Sequence, residues 1–286
     1  MELRIATCRP MPEVDADEDL LLAALSQRGV RARMAAWNDT EQDWDAPVPT
    51  LLRSTWDYIH DLPAFRSWLS RVAHAAPLWN PRSIVEANLH KGYLLDLERR
   101  GVPIVPTELV ERGSATSLRE IMKHRAWDAV VVKPAVGAGS FATQRFAAGE
   151  ISHGERFQAD HLPHRDMLVQ PYLDAVEGHG ERALVWIDGE FTHAVRKSPR
   201  FGGQDERVSE ALPIAAEERA LGELTLGPLA SQLLYARVDV AHGPDGRLCL
   251  MELELIEPSL FLKQEPRALE RFAAAIARNL RAVTSR

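Results

Sequence analysis

Three carboxylates in residues 235–262, YARVDVAHGPDGRLCLMELELIEPSLFL, are spaced so that they could share one face of a sheet. Two apolar runs flank Asp245-Gly246, a dipeptide suited to a tight β-hairpin. With those two residues as the whole loop, Pro244 pairs with Arg247, and Asp239 falls across from Glu252. Side chains alternate between the faces of a strand, so Glu254 shares the face of Glu252. Facing carboxylates repel, and burying them unpaired is costly. A divalent cation that takes oxygen ligands, such as magnesium, relieves both problems. The other reading is an acidic face open to solvent, but Leu248, Leu250, Leu253 and Leu255 favour a half-buried sheet. The arrangement requires an even loop, because an odd one would turn Asp239 to the opposite face.

Other polar groups gather at the ends of apolar runs. Lys133 closes the β-branched run of DAVVVKP, where an ammonium needs a partner, and Gly137, Gly139 and Ser140 follow at once. Glycines let backbone amides approach phosphate oxygens, and Ser140 adds a hydroxyl. Neither a P-loop nor a dinucleotide fingerprint is present, so this loop alone is also compatible with a simple turn. Lys197 leaves a second predicted hairpin, built on Asp188-Gly189, and enters the polar loop SPRFGGQDERVSE at residues 198–210. Such a loop suits covering phosphates, although a solvated connection has the same composition. In RSTWDY, residues 53–58, Arg53 could fork onto a carboxylate and Asp57 could take an amine, with Ser54 and Thr55 beside them or capping a helix. The ten histidines show no HExxH spacing.

The elements that must position these groups alternate between strand and helix. Residues 3–8 read as a strand, 15–28 as a helix with an acidic start and Gly29 as its stop, and 30–37 as a strand, giving a βαβ beginning. A short strand ends at Leu52, and residues 63–75 carry Phe65, Trp68, Leu69 and Val72 at helical spacing. Residues 79–81 read as a linker. Beyond it a helix capped by Ser83 runs through Lys91 and ends before Gly101, followed by strands at 102–106 and 129–133 and a helix at 117–123. Strands at 167–172, 181–185 and 191–195, a helix at 215–234 bent near Gly227-Pro228, and a closing helix at 266–283 complete the chain. The fold class is α/β with α+β lobes. The expected domains are 1–82 on the substrate side, 83–170 as a central lobe and 171–286 as a C-terminal lobe bearing the metal site.

With 286 residues, the chain can support two or three lobes. A net charge of −7 argues against nucleic acid or an anionic membrane as the main partner. No segment reaches transmembrane length, and the start MELRIATC lacks the features of a signal peptide, so a cytoplasmic protein is expected. Cys8 and Cys249 fall in predicted strands as small core residues rather than a redox pair.

Taken together, these residues resemble the ATP-grasp superfamily, the fold of glutathione synthetase and D-alanine–D-alanine ligase, over about residues 85–265. The resemblance implies ATP and Mg2+ as cofactors. It makes Lys91 and Lys133 the nucleotide-binding lysines, Gly137 to Ser140 the flexible loop over the phosphates, Gln170 the hinge and Glu181 the ribose acid. Arg182 is placed like the arginine supporting an acyl phosphate, Arg207 is a transition-state cation, and Asp239, Glu252 and Glu254 form the magnesium triad. The family commonly has Glu-x-Asn where this chain has Glu252-x-Glu254. RSTWDY together with LMELELIEPSLFL is similar to a small group that includes the O-ureido-serine cyclo-ligase of the cycloserine pathway. An ADP-forming ligase joining carbon to nitrogen is therefore expected. Its substrate would be a small amino-acid-like molecule, held by Arg53 to Asp57. The resemblance also allows a homodimer. Ligation between two molecules is the alternative, and a nucleotide-binding protein without chemistry is the alternative of another class.

Overall fold

The computed structural model describes residues 1–178, 180–198, 207–243 and 245–284. Strand β1 (Glu2–Thr7) is exposed only at its first residue, as befits a parallel strand covered on both faces. It lies between β2 (Arg31–Ala36) and β3 (Thr50–Ser54), with β4 (Leu78–Trp79) beyond, in the all-parallel order β2-β1-β3-β4. Helix α1 (Glu18–Ser26) links β1 to β2, the expected βαβ start, and α2 (Leu62–Ala75) buries Phe65, Trp68, Leu69 and Val72.

Two expectations fail just after this sheet. Residues 79–81 are not a free linker: Asn80 is fully buried, its amide donates to Tyr235 O and Leu255 O at 2.9 Å each, and its Oδ1 accepts from Leu234 N. The long helix through Lys91 is two helices, α3 (Arg82–Asn88) and α4 (Tyr93–Arg99). Lys91 sits in the break, where its N–H donates to Ala135 O at 2.7 Å.

The central sheet is antiparallel in the order β5-β8-β6-β7, from β5 (Glu108–Val110), β6 (Ala129–Pro134), β7 (Gln144–Ala147) and β8 (Met167–Pro171). Helices α5 (Leu118–Arg125) and α6 (Ile151–His161) cover one face. Residues 102–106 form no strand of this sheet. Their backbone instead runs along Leu250, with Val105 N donating to Leu250 O at 2.9 Å.

After the short helix α7 (Ala175–Gly178) comes the third sheet, order β10-β9-β11-β12, built from β9 (Glu181–Ile187), β10 (Glu190–Lys197), β11 (Tyr235–His242) and β12 (Leu248–Glu254). The Asp188-Gly189 turn is the tight hairpin expected: Ile187 pairs with Glu190, and both turn residues have positive φ. Helix α8 (Ala216–Leu226) ends in a 3-10 turn at Gly227–Gln232, the expected bend. Helix α9 (Pro266–Thr284) packs with α1 and β9 in one core that includes Leu25, Tyr235, Phe272 and Ile276.

The β11–β12 hairpin reaches its register by a different route from the one expected. Gly243 N donates to Arg247 O at 2.8 Å, which leaves an odd number of residues between them; the expected Pro244 pairing lies outside the described residues. An odd loop alone would carry Asp239 to the wrong face. A β-bulge between Asp239 and Val240 adds Met251 to β12 and restores Asp239 opposite Glu252.

Candidate active site

A cavity of about 710 Å3 opens between the three sheets. One end is apolar, lined by Val105, Val131, Tyr172, Leu173, Val176 and Met251. The bulged residue Met251 joins this lining beside Glu252. Gln170 lies here in β8, where its amide donates to Thr107 Oγ1 at 2.8 Å.

The middle of the cavity is ionic. Lys91 reaches Glu252 at 2.9 Å and also donates to Gly137 O; Lys133 approaches Glu252 at 3.8 Å. Lys197 lies 2.7 Å from Asp239 and 2.5 Å from Glu181. Arg237 donates Nε and Nη2 to the two oxygens of Asp239, at 2.8 and 2.9 Å, and reaches Glu254 and Ser259 O as well. Asp239 pairs with Glu252 across the two strands, but only Glu252 and Glu254 of the three line the cavity. Asp239 is buried outside the lining, bonded by Lys197 and Arg237, and Glu181 lines the cavity as a further carboxylate bonded by Lys197.

Burial works against every charge here, and the neighbours decide the outcome. It raises the Asp239 and Glu252 carboxyls, but Arg237 with Lys197, and Lys91 with Lys133, overcome it and hold both below the usual carboxylate range. Burial dominates at Glu254, where Asp239 and Glu252 add to it against Arg237 and the group is pushed up to about 7. Glu181 is pushed up to about 7 by burial, opposed by Lys197 and reinforced by Asp239. Burial lowers Lys133 despite Glu252, whereas Lys197 ends above its ordinary value because its carboxylate neighbours outweigh burial and Arg237.

Residues 137–141 line the cavity between this cluster and the N-terminal sheet. Gly139 and Ser140 take left-handed backbone, at φ 57° and 59°. Phe141 meets the His60 ring edge-on at 5.3 Å, and the Arg165 guanidinium lies 5.3 Å from the ring centre.

Several expected residues lie elsewhere. Arg182 follows Glu181 in β9 and therefore points to the opposite face, where it pairs with Glu218 of α8 at 2.7 Å and donates to Pro213 O. Arg207 is exposed and outside the cavity lining; residues 199–206 of the same loop are outside the described residues. Arg53, Ser54 and Thr55 are interior because β3 is flanked by strands on both sides. Arg53 donates to Pro258 O at 2.9 Å and lies 3.8 Å from both Asp15 and Asp17, and Ser54 Oγ donates to Thr7 Oγ1. Of the four residues expected to hold substrate only Asp57 lines the cavity, beside Trp56 and Tyr58, and Trp37 Nε1 and Asn38 Nδ2 already donate to its two oxygens. Two acids and bases that the sequence reading passes over, Arg237 and Glu257, do line it. Arg237 was within reach of the period-two rule, being two residues from Asp239 on the same strand.

Among the described residues, no three His, Cys, Asp or Glu side chains are already gathered as a metal cage, and each triad carboxylate has a lysine or arginine partner. The chemistry nevertheless fits magnesium. All three are hard oxygen donors on the paired strands β11 and β12, and a cation would relieve the repulsion that, with burial, holds Glu254 up.

Three-sheet architecture, apolar end and ionic wall together define an ATP-grasp ligase. D-alanine–D-alanine ligase from Bacillus anthracis shares the fold, with a TM-score of 0.66 at 16% identity over 100% of this chain and 99% of that one. Cycloserine biosynthesis protein DcsG of Streptomyces lavendulae is 31% identical over 290 residues, covering 94% of this chain and 95% of that protein. The crystal structure of D-cycloserine synthetase DcsG matches with a TM-score of 0.90, over 98% of this chain and 100% of that one. The family model for the N-terminal domain of D-cycloserine synthetase DcsG matches residues 3–80. The chain belongs to the family of the cycloserine biosynthesis protein DcsG. Among the described residues, no helix is long and apolar enough to cross a membrane.

Proposed function

We propose that the protein uses Mg-ATP to activate the carboxylate of O-ureido-D-serine as an acyl phosphate and closes the isoxazolidinone ring of D-cycloserine. The observation that carries this reading is the ionic cluster, where Lys91, Lys133, Lys197 and Arg237 meet Asp239, Glu252 and Glu254 beside the apolar end of the cavity. The likeness to the cycloserine biosynthesis protein DcsG over 94% of this chain supports cycloserine as the product, and O-ureido-D-serine is the substrate that the sequence resemblance implies.

In this reading a substrate carboxylate oxygen attacks the γ-phosphorus and ADP leaves. The nitrogen bonded to the side-chain oxygen then attacks the carbonyl carbon, loses its proton and expels phosphate. Cycloserine lacks the carbamoyl group of O-ureido-serine, so water must also release that group, as carbon dioxide and ammonia. Such chemistry needs no protein nucleophile; positioning and charge neutralisation carry it. Lys91 and Lys133 hold phosphate oxygens, and Arg237 takes the place expected of Arg182, steadying charge on the transferred group. Asp239, Glu252 and Glu254 would hold magnesium, which would supply charge neutralisation at the phosphates. The 137–141 loop, braced by Phe141 on His60, keeps water from the acyl phosphate.

Purified protein with Mg-ATP and O-ureido-D-serine should yield ADP, phosphate, ammonia and D-cycloserine. Absence of cycloserine above a no-enzyme blank sinks this substrate, and ADP release with another amino acid or an added amine would then identify an intermolecular ligase.

A further inference from the structure

Glu257 stands apart from the other acids at the cavity. Glu181, Asp239, Glu252 and Glu254 each have a lysine or arginine within bonding distance; among the described residues Glu257 has none, although it is 8% exposed and lines the same cavity. Its carboxyl is hydrogen-bonded by the Tyr58 hydroxyl instead. The backbone here is fixed from both sides: Trp56 Nε1 donates to Glu257 O at 3.0 Å, and Arg53 Nη1 donates to Pro258 O at 2.9 Å. Arg53, Trp56 and Tyr58 of RSTWDY therefore hold Glu257 in place. A buried carboxylate without a cation is costly, and its natural complement is a cation that arrives with the ligand. Of the other cavity acids outside the ionic wall, Asp57 already accepts from Trp37 and Asn38, and Glu13 is exposed at the mouth.

We propose that Glu257 receives the α-ammonium of an amino-acid substrate and thereby sets the carboxylate one carbon away against Arg237 and Lys91. This rests on the ligase reading above and adds a specificity: a free amine beside the activated carboxylate. Burial holds the empty carboxyl up to about 8, with Glu254 adding to it, so the arriving ammonium also drives its ionisation.

The experiment compares O-ureido-D-serine with its deamino analogue, 3-(ureidooxy)propanoic acid, by ADP release in the full chain. Wild type should prefer the amine by roughly hundredfold or more in kcat/KM, because a site built for a polar group rejects an analogue lacking it. E257Q keeps an acceptor for Tyr58 but loses the charge. It should lose at least about tenfold of that preference, mainly through KM for the amine, with KM for ATP unchanged. E257D should keep the preference. Equal kcat/KM for the two acids in wild type, or an unchanged preference in E257Q, overturns the assignment; the wild-type comparison does so without any variant. No ADP release with any amino or deamino carboxylate overturns the ligase reading itself, and this assignment with it.

Discussion

Replacing Arg237 by Gln removes a side chain that touches both Asp239 and Glu254. Its guanidinium makes two bonds to Asp239, one to Glu254 and one to Ser259 O. Asp239 is 1% exposed, so it cannot recover these bonds from water. Breaking a buried pair by removing one partner typically costs about 3–5 kcal/mol. Lys197 remains 2.7 Å from Asp239, which puts the expected loss lower, at about 2–3 kcal/mol. For a chain of 286 residues that corresponds to a melting point lower by roughly 3–5 °C. The assay is thermal denaturation of R237Q, D239N and the double variant without nucleotide. The double variant should be more stable than the sum of the two single losses predicts, because neither partner is stranded. A melting point for R237Q within about 2 °C of wild type, or strictly additive losses, would refute the ion-pair account.

Three further outcomes follow from the same site. E252Q should lower turnover by about hundredfold or more while leaving the circular dichroism spectrum unchanged, since Glu252 anchors both Lys91 and Lys133; unchanged turnover would contradict its role. R182Q should lower the melting point by a few degrees and keep kcat within about twofold, because Arg182 bonds Glu218 and not the cavity; a collapse of kcat with an unchanged melting point would return it to catalysis. Magnesium affinity, measured by calorimetry, should rise from about pH 6 to about pH 8. Glu254, with its pKa raised to about 7, is protonated below that value, and the metal must displace the proton. Flat affinity across this range would contradict the assignment of Glu254.

The sequence made the site legible wherever side-chain period alone decides. Glu252 and Glu254 both line the cavity because residues two apart on a strand share a face, cross-strand pairing sets Asp239 opposite Glu252, and the same two-residue rule reaches Arg237 from Asp239. It also excludes Arg182, which sits one residue from Glu181. The bulge at Met251 was not legible: an odd loop and an extra residue cancel, and no residue type announces either. Sheet order was equally hidden. Arg53, Ser54 and Thr55 look like ligand-binding groups at a strand end until β3 is seen to lie between β1 and β4. Arg53 then donates to Pro258 O and Ser54 to the Thr7 hydroxyl, and Arg53 and Trp56 fix the backbone that carries Glu257, two hundred residues on, into the cavity lining. Lys91 looked like part of one long helix because helical spacing continues through it; the bond from its own N–H to Ala135 O is a tertiary contact that local pattern does not encode.

The central claim is that a substrate carboxylate becomes an acyl phosphate in this cavity. Its most direct test uses O-ureido-D-serine carrying oxygen-18 in the carboxylate, with the released phosphate read by mass spectrometry. Transfer of one labelled oxygen to phosphate for each ADP formed is the predicted result; ADP formed with unlabelled phosphate would contradict the account.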